Sequence, residues 1–145
     1  FSNIAMARQL YETIKNQFNE VNFAHDLEKK FGRTFEKLPR VYNLDFCIFN
    51  GKTPTGFAEL KCRTYSSTDF PTLMISMLKV LAANRLHEAT GLPSFLFVEW
   101  QGDGARGMVN LNQSFSFSMG GRSDRNDPQD RDITAYIPIQ TFNWL

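Results

Sequence analysis

The sequence predicts an α/β domain in which helices flank a mixed sheet, and three observations carry that prediction. The opening residues place apolar side chains at helical spacing. Two stretches, around 40–63 and 92–112, are dense in β-branched and aromatic residues and broken by glycine-containing turns. A long apolar segment of helical character lies between them. Strands, then a helix, then more strands is the pattern of a mixed sheet, not of an alternating doubly wound fold.

In chain order, "NIAMARQLYETIKNQFNEV" (3–21) sets Ile4, Ala7, Leu10, Tyr11, Ile14, Phe18 and Val21 along one stripe of an amphipathic helix. A second helical piece, "AHDLEKKFG" (24–32), ends at Gly32, where a helix commonly stops. "RVYNLDFCIFN" (40–50) reads as a strand, "NGKTPTG" (50–56) as the reversal and "FAELKCR" (57–63) as the return strand. After a polar loop, Pro71 opens a helix that runs to Gly91, with proline near its start and glycine past its end. "LPSFLFVEW" (92–100) is a buried strand by its continuous apolar run, and "ARGMVNLN" (105–112) its hairpin partner across "QGDG". A glycine- and charge-rich surface loop, 118–132, precedes a last strand, "ITAYIPIQTF" (133–142). The alternating aromatics Phe115/Phe117 and Phe142/Trp144 are expected in the core rather than as stacking platforms for bases.

With no internal repeat, low-complexity tract or linker, residues 1–145 are read as one domain, long enough to bury a core without staples. No apolar run approaches the roughly 20 residues of a membrane span, and none resembles a signal peptide. A cytoplasmic, intracellular protein is therefore expected, with Cys47 and Cys62 as reduced core thiols. A net charge of +1 argues against a strongly basic nucleic-acid coat. It leaves room for an enzyme that approaches phosphates through metal ions and a local basic patch.

The candidate chemistry lies in "NLDFCIFNGKTPTGFAELKCR" (43–63). Strand side chains alternate faces, so Glu59 and Lys61 point one way and Leu60 the other. A hairpin brings Asp45 toward Glu59. Two carboxylates held together repel each other unless they share a proton or a cation. Hard oxygen ligands of this kind suit Mg²⁺ or Mn²⁺, which keep several waters and share sites with phosphate. A neighbouring lysine can orient a water, assist its deprotonation or stabilise developing negative charge. Together these parts suffice for metal-assisted attack of water on a phosphodiester.

Asp45, thirteen intervening residues, then Glu59-Leu60-Lys61, on strands after an N-terminal helix and before an apolar one, resembles the PD-(D/E)XK nuclease superfamily. The resemblance runs from about residue 4 to residue 100. It implies the restriction-endonuclease-like αβββαβ core, with extra strands at the C-terminal end, and a Mg²⁺- or Mn²⁺-dependent deoxyribonuclease. By this resemblance Asp45 and Glu59 ligate the metal with the backbone carbonyl of Leu60, and Lys61 acts on the attacking water. An acidic residue of the first helix often joins them; Glu12 is the first candidate and Glu20 the second. A polar residue on the helix after the motif is also common, and Lys79 occupies that place, with Ser76 nearby. Lys52, Arg63, Arg122, Arg125 and Arg131 are candidates for a rim that contacts DNA phosphates. The superfamily includes resolvase-like and phage-type enzymes, so DNA structure, a partner or a homodimer is expected to direct cutting. Two features depart from the pattern. Leu44 stands where the name-giving proline would be, and only two strands are evident before the helix at Pro71, with "RTFEKL" (33–38) the candidate for the third.

Plainer readings stand beside these. Glu59 and Lys61 could form a solvated cross-strand pair worth well under about 1 kcal/mol. Asp45 speaks against it, since the hairpin then brings two acids to one lysine. Lys79 could lay its stem along the core and keep its ammonium in water, and Glu12 with Asn16 could be a solvated helix face. His25 and His87 lack ligand spacing and are expected at the surface. The arginine–aspartate alternation of the 118–132 loop also suits a solvated loop. A degenerate member that binds nucleic acid or protein without cutting is the functional alternative, and an unrelated α/β binding module is another.

Overall fold

The computed structural model describes residues 19–121 and 131–145, and its strands form two sheets. Helix α1 is described over residues 19–31. It is followed by β1 (Thr34–Lys37), β2 (Phe46–Asn50), β3 (Thr53–Arg63), β4 (Thr72–Ser76), α2 (Met77–Thr90), β5 (Ser94–Trp100), β6 (Ala105–Asn110), β7 (Ser116–Gly121), β8 (Arg131–Pro138) and β9 (Asn143–Trp144). The larger sheet has the order β1-β2-β3-β5-β6-β9, and the smaller β4-β8-β7. Among the described strands only β3 and β5 pair in parallel, from Phe57↔Ser94 to Arg63↔Trp100. A parallel pair needs a crossover, and β4 with α2 supplies it.

Alternation along β3 divides the interior in two. Ala58 and Leu60 pack with Phe23, Ala24 and Leu27 of α1, on one face of the large sheet. Phe57 faces the other side, where Val80 and Ala83 of α2 and Leu73, Ile75, Ala135 and Ile137 of the small sheet cover Leu96, Val98 and Trp100. Each fully buried large side chain, such as Phe23 or Leu27, contributes roughly 1.5–3 kcal/mol. Arg106 ties α1 to the sheet edge: it donates from Nε to Glu99 (2.7 Å) and from Nη2 to Asp26 (2.8 Å) and lies over the Phe23 ring.

The αβββαβ order is present in α1, β1–β3 of the large sheet, α2 and β5, with β4 of the small sheet set before α2 and extra strands toward the C-terminus. Segment 33–38 does supply the third strand. Several boundaries differ from the sequence prediction. Within the described residues α1 has no break between Val21 and Ala24. Residues 40–42 are a turn of 3-10 helix, not strand, because Pro39 starts the turn and Asn43 closes it in the left-handed region at φ 58°. The reversal after β2 takes only Gly51 and Lys52, with Gly51 at φ 63°. Pro54 is then accommodated inside β3 where the β2–β3 register shifts. The helix expected from Pro71 begins only at Met77. The preceding "TLMIS" is a strand whose Leu73 and Ile75 point inward and whose backbone pairs with β8.

Toward the C-terminus, part of the expected surface loop is strand β7, and the last strand is divided into β8, a 3-10 turn (Ile139–Thr141) and β9. Phe142 is core, but Phe117 is 64% exposed, contrary to expectation, since β7 extends along the outer side of β8. Trp144 is also exposed, on the short edge strand β9. No described helix is long and apolar enough to cross a membrane.

Candidate active site

Asp45 lies just before β2 and is held by backbone on both sides. Its N–H donates to the Ala58 carbonyl (3.1 Å), and its carbonyl accepts from the Leu38 N–H (2.8 Å). These bonds extend the sheet past the strand end and fix the side chain against β3. Asp45 Oδ2 accepts the Leu60 N–H at 2.9 Å, while Lys37 Nζ of β1 stands 3.4 Å from Oδ1. The fold thus brings the Asp45 carboxylate to the backbone of the Glu59-Leu60-Lys61 segment.

Glu59 shares its face of β3 with Phe57, beneath α2, and is only 1% exposed. Two lysines converge on it: Lys61 Nζ is 3.6 Å from Oε2, and Lys79 Nζ is 3.2 Å from Oε1. The second contact is close enough for charge but lacks hydrogen-bond alignment, so Oε1 is a buried acceptor with no donor. Lys79 comes from the first turn of α2. Ser76, the N-cap, sets that turn by accepting the Leu78 N–H (3.3 Å) while donating to Asp132 of β8 (2.5 Å).

Electrostatics follow from this packing. Burial, reinforced by the Asp45 charge, pushes the Glu59 carboxyl up to about 7 against the pull of Lys61 and Lys79. Glu20 of α1 is raised as well, by burial first and Asp45 second, with Lys61, Lys37 and Lys79 opposing. A cleft of about 830 Å³ opens beside these groups and is lined by Glu20, His25, Lys37, Arg40, Asp45 and Lys79 among others. Glu59 and Lys61 are not in its wall; Lys79 links the cleft to the buried acid.

The remaining candidates are placed as follows. Arg63 follows Glu59 and Lys61 on the same face of β3 but donates to the Met74 carbonyl (3.0 Å), joining β3 to β4. The Ser76 hydroxyl is engaged with α2 and β8 rather than turned to a ligand. Lys52 sits in the hairpin turn at the far end of β2, about 20 Å along the strand from Asp45, so the fold does not bring it to the cleft. Glu12, Arg122 and Arg125 lie outside the described residues. His25 is exposed in the cleft wall, and His87 meets the Leu92 carbonyl at the end of α2. Cys47 and Cys62 are free thiols, both pushed up by burial, Cys62 to about 11.

The sequence alone does not mark Lys37. Its signal is register: once β1 pairs with β2, Lys37 stands opposite Phe46, next to Asp45.

Among the described residues no three His, Cys, Asp or Glu side chains group closely enough to hold a metal ion by themselves. Two carboxylates with a backbone oxygen remain. The donor set fits a hard divalent cation, because Glu59 is buried, crowded by a second acid and left with one oxygen lacking a hydrogen bond.

No curated protein matches the chain by sequence. Among solved structures, Hjc of Archaeoglobus fulgidus, a Holliday junction resolvase from an archaeal hyperthermophile, is similar in fold, with a TM-score of 0.54. The two share 13% identity over 86% of this chain and 87% of that one. A family model described as "Phage putative PDDEXK endonuclease" matches residues 6–145. With that match over nearly its whole length, on a mixed sheet that carries Asp45 beside Glu59-Leu60-Lys61, the chain belongs to the phage PDDEXK endonuclease family and is a nuclease of the PD-(D/E)XK type.

Proposed function

We propose that residues 1–145 act as one catalytic domain, a divalent-metal-dependent DNA endonuclease that uses Mg²⁺ or Mn²⁺ and works on DNA in the cytoplasm. Asp45, Glu59 and the Leu60 carbonyl would hold the cation, and Glu20, which lines the same cleft and feels the Asp45 charge, is the α1 acid that would join them. When bound, the cation supplies a polarised water and neutralises charge that develops on the phosphate.

The protein's own groups do the rest. The Leu60 N–H fixes the rotation of the Asp45 carboxylate through Oδ2. Lys61, less buried than Glu59, orients the attacking water and stabilises the negative charge that develops as that water gives up its proton to solvent. Lys79 favours the ionised form of Glu59 against the burial that raises its carboxyl to about 7, and offers positive charge at the cleft. The observation that carries this reading is the burial of Glu59 beside a second acid, with two lysines turned toward it.

One neighbour in fold is a Holliday junction resolvase, and on that basis branched DNA is the substrate proposed first. A homodimer would present two such sites so that both strands are cut. Calorimetric titration of Mn²⁺ into the wild type and Asp45→Ala, followed by incubation with branched, linear and single-stranded DNA, tests the proposal. Metal binding and cleavage lost together in the variant support it. A folded wild type that binds no Mn²⁺ refutes it.

A further inference from the structure

The site holds more lysines than the motif accounts for. Glu59 Oε1 faces Lys79, Glu59 Oε2 faces Lys61, and Asp45 Oδ1 faces Lys37. The other Asp45 oxygen is taken by the Leu60 N–H. Each oxygen of Asp45 and Glu59 not taken by backbone is thus approached by an ammonium group. A divalent ion must take over from these charges to bind.

The three lysines differ in how freely they can leave. Lys61 and Lys79 are 29% and 25% exposed, and both are held by the buried Glu59. Lys37 is 62% exposed at the mouth of the cleft, and its ammonium also lies 5.1 Å above the Phe46 ring. Its contact with Asp45, at 3.4 Å, is long for a charge-assisted bond. Arg40 lines the same mouth.

We propose that Lys37 is an exchangeable counter-ion of Asp45: it holds the carboxylate until a divalent cation displaces it, and is then free to take a phosphate of the DNA strand entering the cleft. This rests on the reading that Asp45 and Glu59 bind the cation. The two partners of Lys37 are mutually exclusive, so cation binding and DNA binding reinforce each other through one side chain. The coupling is reciprocal: the DNA that captures Lys37 also removes the cation's competitor. Lys37 is a positioning residue in this account, without a role in the bond-breaking step.

The test is Mn²⁺ calorimetry, without DNA, on wild type, Lys37→Met and Lys37→Arg, together with cleavage kinetics at saturating Mn²⁺. Methionine keeps the stem over Phe46 and deletes the charge. Loss of an exposed competitor is expected to tighten Mn²⁺ about two- to fivefold in Lys37→Met. The KM for DNA should rise with kcat little changed, and Lys37→Arg should restore both values toward wild type. Wild type that binds Mn²⁺ while Lys37→Met binds it equally or more weakly overturns the exchange and leaves the nuclease reading intact. Tighter Mn²⁺ with unchanged KM overturns the phosphate half of the proposal. No Mn²⁺ binding by the wild type overturns the metal reading, and this inference with it.

Discussion

Replacing Glu59 by Gln should make the protein more stable at alkaline pH while it abolishes cleavage. The substitution keeps the side-chain volume and removes one buried charge. In the folded protein the Glu59 carboxyl titrates at about 7 rather than 4.5, chiefly because it is buried and faces Asp45. Its folded-state affinity for a proton is therefore the higher one. Its contribution to stability is fully present below pH 4.5 and is lost as pH rises through about 7. At about 1.4 kcal/mol for each tenfold change in proton affinity, that window amounts to about 3 kcal/mol, most of it between about pH 5 and about pH 8.

Urea denaturation of both proteins at those two pH values, with divalent ions removed, measures the difference. On going to the higher pH, wild type should lose about 2–3 kcal/mol more than Glu59→Gln. The variant should then be the more stable protein. Adding Mn²⁺ should raise only the wild type. Equal pH slopes, or a variant less stable than wild type at the higher pH, would refute the reasoning. Glu59 would then be an ordinary structural partner of Lys61 and Lys79.

The same carboxyl sets the pH dependence of metal binding. A proton and a cation compete for it, so the Mn²⁺ association constant from calorimetry should climb up to about tenfold per pH unit toward about 7 and flatten above it. Lys79→Met removes a charge that holds Glu59 down, so the onset of that plateau should move to higher pH in the same titrations. Away from the site, a Cβ at Gly102 would stand 2.6 Å from the Ser66 nitrogen and 2.7 Å from the Tyr65 carbonyl carbon. Gly102→Ala should accordingly cost about 1–3 kcal/mol, read as a lower urea midpoint.

The candidate site was legible in the sequence to the extent that it depends on strand alternation. Glu59 and Lys61 share a face because they are two residues apart, and the two-residue turn with its register shift returns the chain so that Phe46 pairs with Ala58, next to Glu59. The boundaries that failed are those decided by distant partners. "PTLMISMLKVL" is apolar at both helical and strand spacing, and its first half becomes β4 because β8, about sixty residues later, offers it a ladder. β1 was faint because only Phe35 of its four residues is buried. Lys37 was invisible for the same reason, since its approach to Asp45 exists only once the β1–β2 register is known. Lys52, expected from sequence at the phosphate-contacting rim, depends on the same long-range placement. It is instead the tip of a two-residue turn at the other end of β2.

The junction of β4 and α2 restricts how this chain can vary in length. Ser76 ends the strand and Met77 begins the helix with no residue between them, while Asp132 grips the Ser76 hydroxyl. Inserting or deleting one residue there would turn the helix by about 100° and carry Lys79 around the axis, away from Glu59. Residue-by-residue substitution at this junction keeps the lysine aimed, whereas any change in residue count does not. The joint therefore works as a reading frame for the site, and descendants of this sequence that keep Lys79 on Glu59 must alter their length elsewhere.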